Sequence, residues 1–195
     1  SATANTIPSG TVEVTDGSQS CSASIEIGNC NLTSTTVGTK MLVATFSGDS
    51  EFETSQSSGL FHIVEKATPT LNWDNPAAIT YGAALSANEL NAVPSIPGTL
   101  VYTPAQGTVL NAGQGQTLHV EFTPADSANY DPVSQDAVIN VTKAALTITA
   151  NDQITVYGSA LPELTVTYSG FVNNDTSDSL DTPVTLHTSA NTMND

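Results

Sequence analysis

The chain repeats itself, and that repetition is the strongest constraint on what it can fold into. Gly59-Leu-Phe-His-Ile-Val-Glu-Lys-Ala67 and Gln135-Asp-Ala-Val-Ile-Asn-Val-Thr-Lys-Ala144 both alternate apolar and polar residues into a Lys-Ala step. Each reads as a final strand running into a linker. Downstream of each step comes a second match, Ala78-Ile-Thr-Tyr-Gly-Ala-Ala-Leu85 with Gln153-Ile-Thr-Val-Tyr-Gly-Ser-Ala-Leu161, so Tyr-Gly-x-Ala-Leu occurs twice. Upstream, Val37-Gly-Thr-Lys-Met-Leu-Val-Ala-Thr-Phe46 pairs with Gly115-Gln-Thr-Leu-His-Val-Glu-Phe122, each followed by an acidic turn and an aromatic. Ile7-Pro-Ser-Gly-Thr-Val-Glu-Val14 pairs with Ile96-Pro-Gly-Thr-Leu-Val-Tyr102.

In order, these landmarks outline three modules: residues 1–66, 67–143 and 144–195. The middle one is complete, with strands expected near 70–73, 78–81, 88–93, 98–103, 107–111, 116–123 and 136–142. Seven short strands separated by Gly, Pro, Asn and Asp is the pattern of an immunoglobulin-like sandwich. The fold class expected is therefore all-β, a tandem of such sandwiches with the first and last incomplete. Both chain ends then fall inside modules, and their unpaired edges are expected to invite strand-swapped association. Ala83–Ala92 has helix-friendly residues, but Pro94 and Pro97 follow and its counterpart elsewhere reads as a strand, so no helix is expected.

Composition agrees with this reading and excludes several functions. Charged residues are 11% of the chain, against roughly 25% in ordinary globular proteins. The basic ones are Lys40, Lys66 and Lys143, with no Arg, and the net charge is −16. Binding to phosphate backbones draws on Lys and Arg, so no nucleic-acid partner is expected. Binding to an anionic membrane surface is excluded on the same ground, and no apolar stretch approaches the ~20 residues of a membrane span. Ser1-Ala2-Thr3-Ala4-Asn5 has neither the basic region nor the apolar core of a signal peptide.

Cys21 and Cys30 flank a Gly28-Asn29 turn signal in a stretch by which the first module exceeds the middle one. An extra hairpin is expected there. With no second Cys pair and with His62, His119 and His187 scattered, a disulfide is a better reading than a zinc site, and it implies an oxidising compartment.

The residues also resemble known families. Pro8-Ser-Gly-Thr-Val-Glu-Val-Thr-Asp-Gly17, Gly38-Thr-Lys-Met-Leu-Val-Ala-Thr-Phe-Ser-Gly-Asp-Ser-Glu-Phe52 and the Lys66 exit resemble bacterial Ig-like repeats of group 3. That family includes a paired-Cys variant of the hairpin, which supports a Cys21–Cys30 bond. Residues 68–143 look like a related Ig-like repeat. Leu146-Thr-Ile-Thr-Ala-Asn-Asp152, Val156-Tyr-Gly-Ser-Ala-Leu-Pro162 and Tyr168-Ser-Gly-Phe-Val-Asn-Asn-Asp-Thr176 resemble the start of the MBG domain, another all-β extracellular repeat. The matching positions are turn, core and linker residues, so the resemblance carries over no catalytic or binding residue.

No catalytic constellation is expected: the histidines lie apart, and Pro8-Ser9-Gly10 and Tyr168-Ser169-Gly170 lack the strand-to-helix setting of a nucleophile elbow. No cofactor is expected apart from calcium, for which Asp175, Asp178 and Asp181 supply hard oxygen ligands in one loop, with an Asx-rich turn as the alternative. Asp49, Glu65 and Asp74 are the candidates for a cation at a linker. Trp73 and Tyr81 are candidate ligand contacts, as a sugar-stacking platform, against the alternative of core anchors. Asn31, Asn140 and Asn174 open glycosylation-type tripeptides, read as coincidence in a bacterial chain.

The function expected is a structural spacer or adhesion segment of a large secreted or cell-surface bacterial protein, not an enzyme. Its expected partners are neighbouring repeat modules of the parent chain. A glycan- or protein-binding module, or an accessory region of an extracellular enzyme, is the alternative.

Overall fold

The computed structural model describes residues 8–188. Among the described residues, strands make up all the regular structure except one 3-10 turn, Ser177–Ser179. The chain divides into two compact units: Ser1–Thr70 with Pro94–Thr99 and Phe122–Val133, and Leu71–Val93 with Leu100–Glu121 and Ser134–Asp195.

The first unit contains β1 (Thr11–Thr15), β2 (Ser20–Ser24), β3 (Gly38–Phe46), β4 (Ser55–Gln56) and β5 (Leu60–Val64), ordered β2-β1-β3-β4 with β5 also on β3. All pairings are antiparallel. β3 is long enough to hold two sets of partners. Its C-terminal half pairs with β1 (Val12↔Phe46 to Thr15↔Val43), and its N-terminal half with β5 (Gly38↔Val64 to Leu42↔Leu60). Met41, Leu60, Phe61 and Ile63 on β3 and β5 are all more than half exposed.

Asp16 anchors the β1–β2 turn and is only 6% exposed. Its Oδ1 accepts from Gln19 N (2.7 Å), Ser18 N (2.8 Å) and Ser18 Oγ (2.9 Å), and its Oδ2 accepts from Ser34 Oγ (2.8 Å). These donors, the Gln19 amide first, hold the carboxyl far below the usual carboxylate range.

Cys21 and Cys30 are disulfide-bonded, but the expected extra hairpin is absent. Ile27 N and Gly28 N both return to Ser24 O (3.1 Å each), and no strand follows Cys30 before β3. The bond instead ties a loop to β2. The physical reason is that the polar run 31–36 spends its side chains on anchoring rather than on a ladder: Ser34 reaches Asp16, and Thr36 Oγ1 accepts from Lys40 Nζ at 2.5 Å.

The second unit contains β6 (Leu71–Asn72), β7 (Ile79–Thr80), β8 (Val93–Pro94), β9 (Gly98–Thr103), β10 (Gly113–Pro124), β11 (Val133–Thr142), β12 (Thr147–Ala150) and β13 (Val166–Ser169). Pro94 and the ends of β9, β10 and β11 fall within the bounds of the first unit. The main sheet is ordered β7-β11-β10-β9, with β7 parallel to β11 (Val141↔Ile79). β6 pairs with β8, and β12 with β13 as an antiparallel ribbon (Thr147↔Ser169 to Ala150↔Val166).

Strict alternation along β10 and β11 sends every second side chain inward. Leu118, Val120, Ala137 and Ile139 thus meet Trp73, Leu85, Leu90 and Ala92, with Leu71, Ile79, Leu100, Tyr102 and Leu110 at the rim. Full burial of a side chain such as Leu118 or Ile139 contributes about 1.5–3 kcal/mol.

Two expected strands are replaced. Residues 88–93 begin as a turn, because Ser86 and Glu89 hold its two ends: Ser86 N and Oγ donate to Glu89 Oε2 (2.9 and 2.7 Å), Asn88 N donates to Ser86 Oγ (3.2 Å), and Leu90 N donates to Ser86 O (3.0 Å). These hydroxyl and amide donors, the Ser86 hydroxyl first, lower the Glu89 pKa. Residues 107–111 contribute one isolated bridge, Ala84↔Val109, flanked by Leu85 N to Thr108 O and Gly107 N to Leu85 O (2.8 Å each).

Candidate functional site

The residues that link one repeat to the next are joined by hydrogen bonds between distant stretches of the sequence. After the first repeat, Lys66 Nζ donates to Ser127 O (2.7 Å), and Ala67 pairs with Tyr130 as a parallel bridge. Ala67 N donates to Asn129 O (2.9 Å), and Asp131 N returns to Ala67 O (3.0 Å). The Asn129 side chain does the cross-linking. Its Oδ1 accepts from Val37 N (3.0 Å), while its Nδ2 donates to Asp126 Oδ2 (2.8 Å), which fixes the amide. Asn129 was not singled out by sequence. Its only signal was its place between Asp126 and Tyr130, in the acidic turn shared by both repeats.

After the second repeat the linking groups are Tyr81, Gly82 and the segment 172–175. Asn173 and Asn174 both have left-handed backbone (φ 53° and 62°), and Asp175 N donates to Val172 O (3.0 Å). That is a type I′ turn, and Asn is among the few non-glycine residues that accept it. The turn carries its two flanking residues onto the Tyr-Gly motif. Val172 lies so close over Gly82 that a Cβ there would sit 2.7 Å from the valine side chain. Asp175 Oδ2 accepts from Tyr81 Oη (2.9 Å), and Asn173 Nδ2 donates to the same hydroxyl (3.3 Å). Tyr81 N is itself held by Thr142 O (2.8 Å). A shallow cleft of about 300 Å³ borders this contact, lined by Tyr81, Lys143, Leu146, Val172, Asp175 and Asp181 among others.

The structure thus brings Tyr81 to Asp175, although the sequence had suggested separate roles for them. Asp178 lies one turn away, where Thr176 and Ser179 form a capping box around the 3-10 turn and Thr176 Oγ1 accepts from Asp178 N (3.3 Å). Among the described residues no three His, Cys, Asp or Glu side chains converge in a way that would hold a metal ion. Asp49 has both carboxylate oxygens engaged: Oδ1 by Glu51 N (2.8 Å) and Phe52 N (2.7 Å), Oδ2 by Ser9 N (2.7 Å). The Glu51 amide leads in lowering its pKa.

Trp73 does not pair with Tyr81 as a platform. It is 5% exposed, its Nε1 donates to Glu89 O (3.0 Å), and its ring meets Tyr102 edge-on at 5.3 Å and 69°. A sugar ring has no face of this indole to stack on. Of the histidines, His119 Nδ1 lies 2.5 Å from Asp136 Oδ1 across β10 and β11, partly exposed, while His62 and His187 are exposed elsewhere.

Residues 1–65 match the family model of the bacterial Ig-like domain (group 3), and residues 146–195 match that of the MBG domain (YGX type). No curated protein and no solved structure matches the chain. The arrangement of the two matches is the one the sequence resemblance implied. Domains of both kinds are typical of extracellular or surface proteins of bacteria and are typically non-catalytic. No helix among the described residues is long and apolar enough to cross a membrane.

Proposed function

We propose that the chain is a spacer segment of a larger bacterial surface protein, in which the linkers between successive modules are clamped by hydrogen bonds rather than left loose. The observation that carries this reading is the pair of clamped linkers. Lys66-Ala67 is held by three hydrogen bonds, to Ser127 O and Asn129 O and from Asp131 N, with Val37 N bonded to the Asn129 side chain beside them, and the contact past Lys143-Ala144 is held by Tyr81, Gly82 and the 172–175 turn. Adhesive recognition would call for exposed anchors in a shaped pocket, whereas these linker groups satisfy one another. Low charge density and a Cys21–Cys30 bond suit a secreted setting.

Small-angle scattering on the chain, and on longer runs of its repeats, tests the proposal. Maximum dimension should grow by a constant increment with each repeat added. A compact particle, or the broad distribution of a flexible string, would count decisively against it.

A further inference from the structure

Asparagines recur at the same spacing in two stretches of the middle repeat, Asn72-Trp-Asp-Asn75 and Asn88-Glu-Leu-Asn91. The fold brings the two stretches together. β6 pairs with β8 beside them, and Trp73 Nε1 donates across to Glu89 O (3.0 Å). Between them lies a cleft of about 410 Å³, lined by Asn72, Asp74, Asn75, Asn88, Asn91 and Val93, with the buried Trp73 at its base. That volume is within the range of small-molecule sites.

The lining is held in place by the protein itself. On one wall, Trp73 O accepts from Gln135 Nε2 (3.0 Å) and Asn75 Oδ1 accepts from Val138 N (2.7 Å), so both residues are tied to β11. On the other, Asn88 N donates to Ser86 Oγ (3.2 Å) and Asn91 Nδ2 donates to Asn88 O (2.9 Å). These bonds decide which end of each amide is spent. Asn75 keeps its Nδ2 as a donor, and Asn91 keeps its Oδ1 as an acceptor. The side chains of Asn72, Asp74 and Asn88 make no hydrogen bond among the described residues. The cleft meets β11 at Val138, midway along that strand, and so is separate from the joints, which attach at Asp131 and Thr142.

We infer that this cleft is a binding site for a neutral saccharide. Its chemistry selects that class. A side-chain amide offers a donor and an acceptor in one plane, and sugar hydroxyls, which both donate and accept, match it with no charge to neutralise. An anionic ligand would find no Lys, Arg or His in the lining, and the Asp74 carboxylate would repel it. Calcium takes several hard oxygens, but Asp74 is the one carboxylate in the lining and Asn75 Oδ1 is already spent on Val138 N. Val93, 63% exposed beside the amides, gives the C–H face of a sugar ring an apolar surface to cover, a part the buried indole does not play. The inference goes beyond the spacer reading and does not depend on it, since scattering measures how modules are joined and not what they bind.

The test titrates the isotope-labelled full chain with neutral oligosaccharides (cellotriose, chitotriose and mannotriose) and follows its amide shifts by NMR. A sulfated disaccharide and calcium chloride serve as the charged probes. At least one neutral oligosaccharide should shift the amides of 72–77 and 88–93 to saturation, while the charged probes leave them unmoved. Asn72→Ala with Asn88→Ala removes side chains that make no bond in the fold, so the melting temperature should stay at the parent's. Affinity for that oligosaccharide should fall about tenfold, the loss of two hydrogen bonds of ordinary net strength. No shift at these amides with any of the neutral oligosaccharides overturns the inference, as does undiminished affinity in the doubly substituted chain. Shifts driven by the sulfated disaccharide or by calcium alone would assign the cleft to a charged ligand and also overturn it.

Discussion

Replacing Trp73 with Ala separates a core anchor from a ligand platform. The side chain is 5% exposed, donates to Glu89 O at 3.0 Å and stacks edge-on against Tyr102 at 5.3 Å. Truncating a buried Trp to Ala costs about 3–5 kcal/mol. Within that, the aromatic pair accounts for about 0.5–1.5 kcal/mol, and the Glu89 carbonyl left without its donor for about 1–3 kcal/mol. At about 4–8 °C per kcal/mol for a domain of this size, the melting temperature should drop by about 12–40 °C. Trp73→Phe keeps most of the buried surface but removes the donor and leaves a smaller gap, so it should cost about 1–3 kcal/mol. Urea titrations by far-UV circular dichroism measure both variants. The parent's transition can also be followed through Trp73, its single tryptophan. A Trp73→Ala variant within about 0.5 kcal/mol of the parent, the range of surface substitutions, would refute the buried placement. Loss of glycan binding in that stable variant would revive the platform.

Three further outcomes are expected. Asp16 and Asp49 have lowered folded-state pKa values, so their contribution is fully present above the unfolded carboxylate value of about 4 and is lost as pH falls below it; urea midpoints of the first unit should decline between about pH 4 and pH 2, and Asp16→Ala should lower the midpoint at pH 7 while flattening that decline. Replacing Cys21 and Cys30 by Ser opens a loop with sequence separation 9, which should destabilise the first unit by about 2.5 kcal/mol in the chain-entropy model, seen as a matching loss in the slowest-exchanging amides of β1 and β3. Asn129→Ala removes the acceptor of Val37 N and should cost about 0.5–1.5 kcal/mol, with faster hydrogen exchange at the Val37 amide as its direct signature.

Why some of this was legible in the sequence and some was not comes down to the range of the interactions. Period-two alternation marks β10 and β11 because burial there depends on each residue's own position in the pleat, and Leu118, Val120, Ala137 and Ile139 follow it residue by residue. The Cys pair was legible because the bond joins near neighbours, but its setting was not: whether residues 30–37 form a strand depends on Ser34 finding Asp16, a partner no local pattern announces. The turn at 86–90 escapes the repeat pattern for a different reason: Ser86-Ala-Asn-Glu89 carries a local capping signature, and the Ser86–Glu89 bonds override the strand that the corresponding stretch of another repeat suggests.

The joints were hardest of all, since they draw on residues from distant stretches whose types are ordinary for turns. Asp175 was placed in an oxygen-rich loop and Tyr81 in a core or a platform, and only their 2.9 Å contact gives either a role. The repeat carried only part of this joint: Tyr-Gly stands at two equivalent corners, and positive φ calls for a glycine at each, but the approach of Val172 over Gly82 depends on a turn ninety residues away that no local pattern announces.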